Sequence, residues 1–188
     1  MEKNRQGKPK RRQYLNDFTR TVGGEYVYTG GFARPAAEPE RYARWRRRLA
    51  ALAAASAVLV LGAGMLPAAG SAGCVYVALP FLALILCCFV KLWKTARLLM
   101  AGQTVREYVY EKTVPVLPGW IAAEALSAAA VLLGEGVYLL RRGFEGRAAA
   151  SIAFLVLAAA AAAVDLLLLR VFRAMGWRRD GAEKAPEA

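Results

Sequence analysis

LAALAAASAVLVLGAGML, running from Leu49 to Leu66, carries no charged residue; a basic run closing on Arg48 precedes it and Pro67 ends it. A hydrocarbon core about 30 Å thick takes roughly 20 apolar residues of helix, so this stretch reads as a membrane span that needs snorkelling flanks to reach across. Working outward, Cys74 to Val90 is a second span of similar length, with Lys91, Trp93 and Lys94 at its end. Trp120 to Leu140 holds two glutamates, Ala148 to Phe172 holds one aspartate, and both are long enough unaided. In lipid only helices and closed barrels satisfy their own backbone, and no ten-residue stretch here alternates with the period of two that a barrel strand requires. The fold class expected is therefore an all-α integral membrane protein with four transmembrane helices in two antiparallel hairpins. Residues 1–48 form a basic arm with an interfacial segment, 49–100 the first hairpin, 101–118 a connector, 119–173 the second hairpin and 174–188 a tail.

Charge sets the expected orientation. Thirteen basic residues precede Leu49, five lie from Lys91 to Lys112, and five lie from Arg170 onward. The loop from Pro67 to Gly73 holds none, and the other turn holds Arg141, Arg142 and Arg147, partly offset by Glu145. By the positive-inside rule the arm, connector and tail face the cytoplasm, which places both termini inside the cell membrane. The charged N-terminal segment is too long for the n-region of a cleavable signal, so the first span is expected to act as a signal anchor. Cys74, Cys87 and Cys88 lie in or beside one apolar span and read as packing residues, with no disulfide framework.

The net charge of +12 raises nucleic acid as a partner. The basic run Arg41 to Arg48 abuts a span, however, and polybasic juxtamembrane segments gain about 1 kcal/mol per cation from anionic lipid. Tyr42, Arg44, Trp45, Arg46, Arg47 and Arg48 are thus expected to contact anionic headgroups, the aromatics in an interfacial belt, and nucleic acid is not expected. Residues 5–12 lack apolar content and are expected to be disordered.

Two short echoes suggest duplication. Glu25-Tyr26-Val27-Tyr28 precedes the first hairpin and Glu107-Tyr108-Val109-Tyr110 precedes the second; Leu61-Gly62-Ala63-Gly64 likewise resembles Leu133-Gly134-Glu135-Gly136. The spacings differ, 82 residues for the first echo and 72 for the second. The first tyrosine segment, bounded by glycine pairs, reads as extended, whereas Thr104 and Glu107 fit a capping box that would make the second helical.

Polar groups inside the spans carry the most information. Glu124, Ser127, Val131, Gly134 with Glu135, and Tyr138 share one face of the third span, while Ser151, Ala158, Asp165 and Phe172 recur every seven residues on the fourth. Glu124, Asp165 and Lys91 lie at similar depth, within about two turns of the cytoplasmic ends. A lone carboxylate facing lipid costs several kcal/mol, whereas one facing a cation inside a bundle is compensated. Lys91, Glu124 and Asp165 are accordingly expected to form a buried cluster, with Arg97 as a candidate fourth member. Glu135, nearer the outer face, has Arg141 or Arg142 as its candidate partner.

Catalysis is not expected. The chain has no histidine, and it lacks the nucleophile elbow, the Cys-x-x-Cys pair and the phosphate-cradling glycine loop, so neither cofactor nor metal is anticipated. Two readings remain. One is a non-catalytic accessory or scaffold subunit, binding itself or another membrane protein through small-residue helix faces. The alternative is a small oligomeric transporter or channel with Glu124 and Asp165 as a proton or cation relay.

Overall fold

The structure, a computed structural model, describes residues 18–20, 24–28, 30–71 and 73–180. Residues 5–12, expected to be disordered, lie outside the described residues. Four long helices dominate: α1 Pro39–Gly64, α2 Val75–Met100, α4 Leu117–Arg142 and α5 Ala148–Arg173, with a short α3, Glu107–Thr113, between α2 and α4. Each of the four long helices is long and apolar enough to cross a membrane, the architecture of a multi-pass transmembrane protein.

The helices exceed the apolar runs that announce them. Pro39 enters at the first turn of α1, where its missing N–H is no loss, so α1 begins ten residues before Leu49 and carries the basic run as helix. α1 packs against α2 and α5, and α4 packs against the same two. Contacts run in opposite senses along neighbours: Tyr42 and Arg46 of α1 meet the end of α2 near Leu99, whereas Gly64 meets Phe81 near its start. The bundle thus has a terminal end, where α1 and α4 begin, and a turn end, where both finish.

The buried stripes follow helical periodicity. Tyr42, Trp45, Leu49, Ala53, Ser56, Val60 and Ala63 line the inner face of α1. Ser151, Ala158, Asp165 and Phe172, the seven-residue repeat of α5, are all buried. Cys87 and Cys88 are buried free thiols on α2, and Cys74, just before it, is half-buried. Two apolar cores result. One, at the terminal end, gathers Trp45, Leu49, Leu98, Ile121, Leu168 and Phe172; the other, toward the turn end, gathers Val60, Leu84, Val131, Phe154 and Ala161.

Proline and glycine set the contact between α2 and α4. Pro80 has no N–H to donate to the carbonyl of Tyr76 one turn earlier. Gly134 of α4 sits against that carbonyl, and a Cβ added there would lie 2.9 Å from the Tyr76 oxygen. Gly134→Ala is expected to force the two helices apart at a cost of about 1–3 kcal/mol, read as a lower unfolding midpoint in detergent. An unchanged midpoint would show that the contact gives way freely.

The terminal end is closed by a small sheet that the all-α expectation omitted. β3 (Phe32–Pro35) lies between β4 (Val105–Arg106) and β5 (Trp177–Asp180), antiparallel to both. The arm, the connector and the tail, expected as separate segments, are thus hydrogen-bonded into one cap. A separate ribbon pairs β1 (Phe18–Arg20) with β2 (Tyr26–Tyr28), as the extended reading of Tyr26 to Tyr28 anticipated. The capping box expected from Thr104 and Glu107 does not form: Val105 and Arg106 are drawn into β4, and α3 starts without a side-chain cap. The two Glu-Tyr-Val-Tyr segments meet, however. Tyr28 and Tyr108 stand edge to face with ring centroids 6.3 Å apart, and the Arg106 guanidinium lies 5.2 Å from the Tyr28 ring centroid.

Candidate functional site: a buried ionic layer

Between the two apolar cores lies one polar layer built from all four long helices. Lys91 of α2 extends its ammonium inward, with Nζ 2.8 Å from both carboxylate oxygens of Glu124 on α4 and 2.7 Å from Oδ1 of Asp165 on α5. It also donates to Ser56 Oγ of α1 at 2.8 Å, and that hydroxyl donates to Glu124 Oε1 at 3.0 Å. Ser56, Lys91, Glu124 and Asp165 are all fully buried, at 0 % exposure.

The site follows from local periodicity. Lys91 falls on the α2 stripe Leu84, Cys88, Lys91, Thr95, Leu98; Glu124 on the α4 stripe Leu117, Ile121, Glu124, Ala128, Val131. A charge on such a stripe has only the bundle interior to point into. An isolated charge there is very costly, and three ammonium protons directed at three acceptor groups satisfy the lysine. The chemistry this permits is a charge-compensated tie between helices. Most of the buried side chains above and below it are apolar, with the Cys88 thiol and the Thr95 hydroxyl one turn to either side of Lys91 on α2.

Sequence reasoning placed Lys91, Glu124 and Asp165 at one level, and the structure brings them together. It did not find Ser56, because a serine inside an apolar helix has a local alternative, bonding back to the preceding turn as Ser127 does to Ala123 O at 2.9 Å. Arg97 is not a member of the cluster. Its guanidinium turns toward Tyr108 of the cap, 6.0 Å from the ring centroid.

Glu135 forms a second polar layer, with a different partner from the one expected. Arg141 and Arg142 are exposed, while Glu135 is fully buried and accepts a hydrogen bond from the Gly70 backbone N–H at 3.3 Å. The cause is the shortness of α1. From Ser56 to Gly64 it covers about 12 Å at 1.5 Å per residue, whereas α4 runs about 27 Å from Glu124 to Arg142. The following loop folds inward to fill the gap, burying Ala68 and Ala69. Irregular backbone at that depth needs protein partners. Ser151 Oγ accepts from Ala69 N–H at 3.0 Å, and Glu135 serves Gly70. Any side chain at Gly70 would run into the Glu135 carboxylate and the Tyr138 ring. Glu135→Leu is expected to strand a buried N–H and cost about 1–3 kcal/mol. The check is faster protease or exchange opening of the loop, while the Lys91 layer stays protected.

The aromatics of the basic run face into the bundle and not outward as a lipid belt would. Tyr42 is 1 % and Trp45 6 % exposed, because the early start of α1 puts them on its inner face. Tyr42 donates from its hydroxyl to Gly102 O at 2.6 Å, and Trp45 Nε1 donates to Val171 O at 2.8 Å. Arg46 donates to Leu99 O at 2.7 Å, while Arg44, Arg47 and Arg48 remain exposed. Trp45 also packs against Phe172 and Trp177, so Trp45→Ala is expected to cost about 3–5 kcal/mol. Loss of intrinsic tryptophan fluorescence protection in the cap would accompany it.

Comparison with protein-family models, curated proteins and solved structures returns no match. Among the described residues, no group of three or more Cys, Asp or Glu side chains is placed to hold a metal ion.

Proposed function

We propose that this chain is a non-catalytic multi-pass membrane protein, an accessory or scaffold subunit acting through helix packing with a second copy or another membrane protein. In this reading the four helices form two hairpins tied by the Lys91 layer, and both termini lie on the cytoplasmic side of the cell membrane. The observation that carries it is the complete burial of Lys91, Glu124 and Asp165 among side chains of all four helices. A relay group needs alternate partners and water, whereas an ammonium already held by two carboxylates and a hydroxyl is committed to structure. The proposal includes no cofactor and no nucleic acid.

Outward-facing surfaces support a packing role. Ala51, Ala54 and Ala55 on α1, and Ala159 and Ala163 on α5, are exposed small residues that let another helix approach closely. Leu79, Leu82, Leu86, Phe89 and Trp93 form one exposed apolar stripe on α2. Duplication forms no part of the proposal, because the first tyrosine segment is a strand and the second a helix.

Crosslinking in native membranes, followed by affinity capture and mass spectrometry, tests the reading. A stoichiometric membrane protein, or crosslinks between copies, is the expected result. A clean monomer in detergent with nothing copurifying overturns it.

A further inference from the structure

Arg41, Arg44 and Arg48 recur at helical spacing on the exposed face of α1. With Trp45 they form one wall of a groove of about 370 Å³ whose other wall is Val171 and Met175, at and just beyond the end of α5. Among the described residues none of the three arginines has an ion-pair partner. Like charges one turn apart repel, and Glu40, one turn before Arg44, offsets only part of that repulsion, which an anion held between the three would relieve. A second basic groove at this end is different: it contains Glu111 as well as Lys94, Arg97 and Lys112, and its Lys94 ammonium is already bound to Lys112 O at 2.9 Å.

Height and composition select the anion. Arg48 is the last charge before the apolar run that begins at Leu49, which puts the groove at the hydrocarbon boundary, where lipid phosphates reside. Guanidinium forks match phosphate oxygens in pairs. The opposing wall is apolar, and the carbonyl of Val171 is occupied by Trp45 Nε1, so it does not confront an anion. A free phosphate ion has no use for Val171 and Met175, whereas the glycerol and first methylenes of a lipid do.

We infer that the groove between Arg41, Arg44, Arg48 and the end of α5 binds the phosphate of an anionic phospholipid. The inference rests on the membrane reading of the four helices and is independent of any protein partner, so its failure leaves the capture experiment untouched.

The test uses full-length protein in nanodiscs of equimolar phosphatidylcholine and phosphatidylglycerol, released into native mass spectrometry. Wild type is expected to retain one phosphatidylglycerol. R41Q/R44Q/R48Q is expected to reduce that retained fraction by about tenfold or more, whereas R47Q/R170Q/R173Q, the same charge change outside the groove, leaves it intact. Ala174→Trp fills the groove without altering charge and is expected to give the same loss as the groove triple. Sodium phosphate added before release is expected to leave the bound lipid in place. Equal retention in the groove triple, equal loss in the control triple, or equal retention of phosphatidylcholine overturns the assignment. Displacement of lipid by phosphate ion overturns it too, and gives the groove to a soluble ligand.

Discussion

Lys91→Met is expected to lower the unfolding free energy by about 3–5 kcal/mol, as much as removing the buried Trp45 indole although it leaves no cavity. Methionine matches the length of the lysine stem, so the loss is electrostatic and not a matter of volume. With the ammonium gone, Glu124 and Asp165 face each other without a cation, and Ser56 Oγ loses one of its two partners. Asp165 starts from a weak position: among the described residues its second oxygen, Oδ2, has no hydrogen-bond partner. Unfolding in mixed micelles by titrated denaturing detergent, followed by far-ultraviolet circular dichroism, gives the number. A change below about 1 kcal/mol would mean that the layer is worth no more than an average hydrogen bond between membrane helices.

Replacing the whole layer at once is expected to do the opposite. Ser56→Ala/Lys91→Met/Glu124→Leu/Asp165→Val removes the three charges of the layer, whose desolvation opposes folding, together with their hydroxyl partner, and joins two apolar cores into one. Buried ion networks exchanged for packed hydrophobic residues are often neutral, or stabilising by about 1–4 kcal/mol. The quadruple variant is therefore expected to match or exceed wild-type stability, although it contains the substitution that is most damaging alone. That non-additivity is the signature of a mutually compensating cluster. Under the proposed role the variant also captures the same membrane partners as wild type, because nothing on its outer faces has changed. A variant as unstable as Lys91→Met would show that the polar geometry itself, and not its internal compensation, holds the bundle.

Charges were the legible part of the sequence. Lys91, Glu124 and Asp165 each interrupt an apolar run, and a charge in such a run has to face inward; counting residues from the span ends put all three at one height. Ser56 left no comparable trace, since serine in an apolar helix can satisfy itself. For Glu135 the sequence shows only side-chain partners such as Arg141 and Arg142, whereas its partner in the structure, the Gly70 amide, is backbone and has no letter of its own. Tyr42 and Trp45 turn inward for a reason the basic run conceals. Aromatics beside a basic run suggest an interface, but Pro39 starts α1 early and rotates both onto the stripe continued by Leu49 and Ala53. The cap was out of reach because its strands span only two to four residues, too short for period-two patterning, and their pairing is entirely long-range.

The most direct measurement is proton flux across vesicles that contain the purified protein and a trapped pH-sensitive dye, under an imposed membrane potential. The buried layer, fully enclosed between Leu49, Ile121 and Leu168 on one side and Val60, Leu84 and Phe154 on the other, predicts leakage equal to that of empty vesicles, unchanged by Asp165→Asn. Potential-driven flux that Asp165→Asn abolishes, while the helices remain assembled, would contradict the account.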